Sequence, residues 1–280
     1  MIRVESNNSR SDADVIVVGA GALGCLAAHH LAGRGLDVLV LDAATGPALQ
    51  TTGAAAGFVA SFSAVHHHEW EKEEWRMQQY GIGFYTQLAA ASPHDFACAA
   101  SGIAYVYLTD RGWAAAQSGI EQARSYGSQL EVLTPGRAAT LLPQLRFAHT
   151  TGILFESAAV RLRAADAIPA LAAATQQRGV RFHFDAAVST ILETGGTVTG
   201  VRAGAEFRAP RVIVAGGAWS RPLLGRHGAE LPAVPRVAAR YTTRPLPGID
   251  ITLPMLMFSD SGHRFYIREE AGGLLIGGAD

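Results

Sequence analysis

The segment DVIVVGAGALGCLAAHHLAGRGLDVLVLDA, which begins at Asp14, carries glycines at the spacing Gly19-x-Gly21-x-x-Gly24 and an acid, Asp42, close to its end. Gly19 permits a tight turn, Gly21 lets a diphosphate approach the backbone, and Gly24 lets a helix pack closely on a sheet. Free N–H groups at a helix start, reinforced by the helix dipole, hold phosphate oxygens. A carboxylate at Asp42 suits the hydroxyls of an adenosine ribose and repels a 2′-phosphate, which disfavours NADP. The chemistry indicated is dinucleotide binding.

A glycine turn carries that meaning only when the right elements flank it. Val15 to Val18 forms a continuous apolar strand, and the pattern from about Ala22 to Arg34 is helical. Gly33 and Gly35 stop the helix, and Val38 to Leu41 is a second apolar strand. The order is that of a βαβ unit with a buried parallel sheet. Cys25 reads as a small packing residue, and His29-His30 as partly exposed packing within the helix.

The rest of the composition is consistent with a small-molecule site. Of 280 residues, 49% are hydrophobic and 17% charged, as in a globular chain with a large core. Lys plus Arg number 23 against 24 Asp plus Glu, so no net field recruits nucleic acid or an anionic membrane. The apolar stretch from Val15 to Ala32 is broken by three glycines and a histidine pair and is a poor membrane span. The opening fourteen residues are polar, without the apolar core of a secretory signal. Two cysteines, Cys25 and Cys98, are too few for a disulfide framework, so a cytoplasmic setting is expected.

Further along, a small-residue loop (TGPALQTTGAAAGFVASFSAVHHHEW) precedes a helix from Trp70, whose stripe Met77, Tyr80, Phe84 and Leu88 reads as core packing. His66-His67-His68 reads as a solvated loop, since three consecutive side chains cannot converge on one ion, and no metal site is expected. Asp110-Arg111 reads as a turn, EWEKEEWR as a solvated helix face, and Thr134-Pro135 as a capped helix start. From Gly152 strands and helices alternate again. VSTILE and VTGVRA join through Gly195-Gly196, and RVIVAGGAWS is an apolar strand ending in glycines. Past Pro222 an alternating pattern predicts an antiparallel sheet.

These segments, in this order, resemble the D-amino-acid oxidase, glycine oxidase and sarcosine oxidase group of FAD-dependent amine oxidoreductases. The later motifs TTGAAAGFV, VRLRAADAIPALAAATQQRGV, VIVAGGAWS and RFYIREEAGGLLIGGAD make the likeness specific. It implies an α/β fold, with a Rossmann-type FAD-binding domain over 12–90 and 151–225. A second, mainly antiparallel α+β substrate domain is implied over 91–150 and 226–280. By resemblance, FAD's diphosphate sits on Gly19, Gly21 and Gly24, its ribose on Asp42 and its adenine near the backbone of Val188. Thr52, Ala56 and Gly57 belong to the loop that approaches the flavin end. Ala215, Gly216 and Gly217 lie near the cofactor, and Trp219 either caps that turn or packs in the core. Ala54 stands where relatives with covalent flavin carry histidine, so non-covalent FAD is expected. The family continues beyond the GGLLIGG strand, so a fragment, a cleaved subunit or a chain completed by a partner is also expected.

The resemblance implies amine oxidation, with hydride passing to flavin and the protein aligning and desolvating the substrate. Oxygen or another carrier is the expected final acceptor. An amino-acid carboxylate needs an anchor, and a planar guanidinium suits it. Arg268 is the first candidate, with Tyr266 on the same sheet face to close the pocket or donate a hydrogen bond. The alternative for Arg268 is a surface arginine paired with Glu269 or Glu270. Arg240, Tyr241 and Arg264 are weaker candidates. Two other readings stay open: a different flavin or NAD enzyme, and a non-catalytic FAD-binding subunit.

Overall fold

The structure, a computed structural model, describes residues 12–61, 71–147, 149–247, 253–260 and 263–278. Along the chain come β1 (Val15–Val18), α1 (Ala22–Ala32), β2 (Val38–Leu41), β3 (Phe58–Val59), α2 (Lys72–Ala91), β4 (Ile103–Tyr107) and α3 (Asp110–Tyr126). Next are β5 (Leu130–Val132), α4 (Pro135–Leu141), β6 (Gly152–Glu156), β7 (Val160–Arg161), α5 (Ala164–Gln176), β8 (Arg181–His183), β9 (Thr190–Thr194) and β10 (Thr197–Ala203). The last are β11 (Ala205–Arg208), β12 (Val212–Val214), α6 (Ser220–Gly225), β13 (Ala239–Thr242), β14 (Met255–Asp260), β15 (His263–Glu270) and β16 (Gly273–Gly278).

The chain divides into two compact units. The first contains the residues up to Ala55, Ser92–Phe96 and Arg163–Arg236; the second contains Ala56–Ala91, Ala97–Leu162 and the residues from Val237 onward. The division follows strand pairing: β3 pairs with β7, and β6 pairs with β4 and β5.

In the first unit β12, β1, β2 and β8 form a parallel sheet in that order. Every residue of β1 and β2 is buried, which is why both read as unbroken apolar runs. One face packs against the antiparallel meander of β9, β10 and β11 through Ile16, Val18, Leu39 and Leu41 against Val201 and Phe207. The β9–β10 turn uses Gly195 and Gly196 at φ +59° and +76°, the two left-handed positions that a tight hairpin needs. α1 and α5 are joined by a buried hydrogen bond of 3.0 Å between His29 Nδ1 and Thr175 Oγ1. His29 is therefore buried, not partly exposed, because its ring meets a polar partner inside the helix pair.

The second unit is built on a seven-stranded sheet, β13-β16-β15-β14-β4-β6-β5. Five of its six pairings are antiparallel and β14–β4 is parallel. Alternation splits its strands between two cores. Ile103, Tyr105, Leu154 and Met255 pack with Ala116 and Ile120 of α3, while Ala104, Ile153 and Leu256 pack with Ala138 and Leu142. α3 is capped by Thr109, whose hydroxyl accepts the Gly112 N–H at 3.1 Å, so Asp110-Arg111 opens a helix and is not a turn. Thr134 and Pro135 start α4 as expected. On α2 the stripe predicted to be core divides: Leu88 is buried and Phe84 half-buried, but Met77 at 64% and Tyr80 at 58% are exposed. The helix is held elsewhere, by Trp75, whose Nε1–H donates to Ser128 Oγ at 2.7 Å, and by Gly81 against Val59.

Burial, with Arg178 and His30 nearby, lowers the pKa of His29 to about 4 from its usual 6.5. Its contribution to stability is complete above pH 6.5 and is lost as pH falls toward about 4, because only the unfolded chain takes up the proton in that window. Between about pH 7 and pH 4.5 the urea midpoint should fall further in the wild type than in His29→Gln, which has no proton to gain. Equal losses would remove His29 as the cause.

Candidate functional site

The glycine turn between β1 and α1 is a close crossing of three stretches of backbone. A Cβ on Gly24 would lie 1.8 Å from the Gly19 carbonyl oxygen, and one on Gly19, already at φ +108°, would lie 2.5 Å from the Ala215 oxygen. Gly19 N–H donates to Leu41 O at 2.8 Å, and Ala215 N–H donates to Val18 O at 2.8 Å. The turn is thereby fixed between β2 and β12. No side chain of its own caps α1. Thr52 reaches in from another loop, and its hydroxyl accepts the Ala22 N–H at 3.2 Å. A Cβ on Gly21 would meet only that hydroxyl, at 3.1 Å. Backbone donors, a helix N-terminus and missing side chains together can receive a diphosphate.

Asp42 is held from both sides. Its Oδ2 accepts from Ala20 N–H at 2.6 Å and its Oδ1 from Ala44 N–H at 2.7 Å. The acid predicted for a ribose is thus oriented by the same turn that would hold the phosphates. Val188 packs at the edge of the meander core, and the backbone of Ala186 donates to Asp42 O at 2.8 Å. Cys25 is inert packing: burial, with Asp42 nearby, pushes its thiol up to about 12.

At the end of β12, Gly217 needs its glycine for φ +54°. Gly216 does not, since its φ is −76° and a Cβ there would come no closer than 3.5 Å to Ser220 Oγ. Trp219 is 57% exposed, so the core-packing alternative is excluded for it. These residues, with Gly19 to Gly24, Asp42, Thr52 and Val188, all belong to the first unit.

The other candidates lie in the second unit. Ala56 packs on the core below β4, and Gly57, at φ +69°, accepts from Leu162 N–H at 2.8 Å. Tyr266 and Arg268 sit two apart on β15 and share a face, with Tyr266 opposite Met257 and Gly277. A Cβ on Gly277 would lie 2.2 Å from Tyr266 Oη, so the ring lies over that glycine. Arg268 is only 4% exposed and is not a surface residue, although it does pair with Glu270 at 2.5 Å. Its Nη1 donates to Glu269 O at 3.0 Å, and its Nε finds no acceptor among the described residues. Burial lowers its pKa from the usual 12.5, against the opposing pull of Glu270. Arg161 pairs with Glu269. Arg240 and Tyr241 are exposed on β13. The Arg264 side chain and His66 to His68 lie outside what the structure describes.

Sequence reasoning missed Glu156, whose residue is 0% exposed in β6. It accepts from Ser61 N–H at 2.7 Å, Ser61 Oγ–H at 2.5 Å and Tyr105 Oη–H at 3.2 Å. A lone acid ending an apolar strand, GILFE, was the only sign of it.

Fold and turn geometry define a dinucleotide-binding protein of the Rossmann kind. Residues 14–280 match the family model described as "FAD dependent oxidoreductase", and the chain belongs to that family of flavoproteins. It is 28% identical over 264 residues to 4-methylaminobutanoate oxidase (formaldehyde-forming) of Paenarthrobacter nicotinovorans, covering 94% of this chain and 31% of that protein. It is 26% identical over 276 residues to a mitochondrial pyruvate dehydrogenase phosphatase regulatory subunit of Mus musculus, covering 96% of this chain and 30% of that protein. The chain thus spans about a third of each. The crystal structure of L-proline dehydrogenase from P.horikoshii superimposes with a TM-score of 0.83 at 18% identity, over 96% of this chain and 70% of that one. No helix among the described residues is long and apolar enough to cross a membrane.

Replacing Gly24 with alanine drives a methyl into the Gly19 carbonyl, and Asp42→Asn turns an amide donor toward one of two backbone N–H groups. Each should lower stability by roughly 1–3 kcal/mol. Urea unfolding measures both, and an unchanged midpoint for Gly24→Ala would contradict the close crossing.

Proposed function

We propose that the protein is an FAD-dependent enzyme that oxidises the C–N bond of a small amino acid or N-methyl amino acid, with oxygen or an electron carrier as final acceptor. The observation that carries this reading is Arg268: a buried guanidinium with an unmet Nε–H donor, on a sheet face shared with Tyr266. A buried cation with a spare donor suits a carboxylate. The relative named 4-methylaminobutanoate oxidase (formaldehyde-forming) supports an N-methyl substrate.

In this reading Gly19, Gly21, Gly24 and Thr52 hold the diphosphate, Asp42 the ribose and the Val188 backbone the adenine. Ala56 and Gly57 approach the flavin end. Ala215, Gly216 and Gly217 give it room, a role supported at Gly216, where neither φ nor protein packing requires glycine. The exposed Trp219 lies against the same cofactor. When bound, FAD supplies the two-electron acceptor for hydride from the carbon bearing the amine. Arg268 binds and orients the substrate carboxylate, and Tyr266 closes the pocket or donates a hydrogen bond. Met257, opposite Tyr266 on the same face, is apolar. The two free cysteines support a cytoplasmic setting.

A second reading, a non-catalytic FAD-binding subunit that works with a partner, draws support from the relative named as a regulatory subunit. Anaerobic addition of sarcosine, glycine, D-alanine, L-proline or 4-methylaminobutanoate to the FAD-loaded protein separates the two. Bleaching of the flavin bands by one of them is the enzymatic outcome, and no bleaching by any favours the subunit. Acid precipitation should release the flavin, because Ala54 offers no covalent link; retention in the pellet would contradict this. Arg268→Lys keeps a cation for Glu270 but loses the planar fork. It should raise KM about tenfold on a carboxylated substrate and leave it unchanged on an amine without a carboxylate.

A further inference from the structure

Glu156 is a charge-bearing group with no part in the function proposed above. It occupies the face of β6 that packs with Ile103, Tyr105 and Met255, in the middle of an apolar core. A carboxylate there costs several kcal/mol unless donors surround it. A leucine would fill the same place without needing any, so the acid calls for a reason beyond packing. Its donors supply one. Among the described residues Ser61 donates twice, through both backbone N–H and hydroxyl. Tyr105, which also donates, keeps its proton because burial and the adjacent carboxylate hold its pKa well above the ordinary value.

Ser61 ends the segment that starts at Ala56. The other end is fixed by Leu162 N–H on the Gly57 carbonyl and by the β3–β7 pairing, while Ala56 and Phe58 pack on the core that Tyr105 shares. The Ser61 hydroxyl also lies 3.3 Å from Ser128 Oγ, which in turn accepts the Trp75 indole N–H at 2.7 Å. One carboxylate thus ties the segment to β4 and β6, and through Ser128 and Trp75 to the ends of α3 and α2.

We propose that Glu156 is a positioning residue: its carboxylate pins Ser61 and thereby sets the height of the Ala56-Gly57 turn that meets the flavin end of the cofactor. The proposal rests on the assignment of that turn to FAD made above. Loss of the acceptor would leave the Ser61 N–H unpaired and its hydroxyl with Ser128 alone, so the turn would be held only from its β3–β7 side, altering how the flavin is held.

The test uses the FAD-loaded protein with Glu156→Leu, Glu156→Gln and Ser61→Ala. Glutamine keeps an acceptor for Ser61 and should match wild type. Leucine should weaken FAD binding about tenfold, shift the visible flavin bands and lower kcat with little change in KM. General destabilisation would lower the unfolding midpoint but leave the spectrum of bound flavin and the kcat of the FAD-loaded enzyme unaltered. A folded Glu156→Leu protein with wild-type FAD affinity and spectrum would overturn the proposal. Should the leucine variant not fold, Ser61→Ala decides. It removes one bond of the pair, and about a threefold loss of FAD affinity supports the role, whereas no loss overturns it. Wild-type protein that binds no FAD would sink the functional reading and this proposal with it; wild type that binds FAD beside unaltered variants would sink this proposal alone.

Discussion

Everything in the first unit depends on how closely the backbone passes itself at Gly19. The Gly24 Cα faces the Gly19 carbonyl and the Ala215 carbonyl faces the Gly19 Cα, at separations that no side chain fits. This crossing sets the start of α1 against the ends of β1, β2 and β12 at once. Asp42 then adds a carboxylate bonded to the backbone of the turn itself, so the group suited to a ribose and the donors suited to a diphosphate move as one body. The fold delivers a preorganised polar rim at strand ends, the place where open parallel sheets take their ligands.

The second unit meets the opposite difficulty. Its sheet is covered on both faces by apolar side chains, yet it buries Glu156 and Arg268. Glu156 meets donors from Ser61 and Tyr105 among the described residues. Arg268 has a carboxylate, a carbonyl and one unmet N–H. Of the two, Arg268 is the one left with a donor unmet among the described residues. A buried acid met by donors rigidifies what it holds, whereas Arg268, already paired with Glu270, keeps one N–H whose desolvation a further acceptor would offset.

Much of this was legible in the sequence, and for physical reasons. Local rules carried the βαβ unit: unbroken apolar strands, glycines at fixed spacing and a terminal acid each report a constraint within a few residues. The hairpin at Gly195-Gly196 and the cap at Thr134 are equally local. What failed was tertiary. Spacing placed Met77 and Tyr80 on one stripe but could not say that α2 packs through Trp75 instead. β3 finds its partner in β7, a hundred residues on, which no local rule reports. Alternation put Arg268 and Tyr266 on one face correctly, but burial of the arginine is set by strands from elsewhere in the chain. Glu156 was invisible because its donors come from distant loops and strands.

Whether the Gly19 to Gly24 turn holds FAD is decided by titrating flavin-depleted protein with FAD, followed by visible absorption, with NAD and NADP as competitors. Saturation at one FAD per chain, with shifted flavin bands and no displacement by either nicotinamide dinucleotide, is the expected result. A protein that is folded by circular dichroism and takes up no FAD, or one that yields it readily to NAD, would show that the turn does not serve FAD.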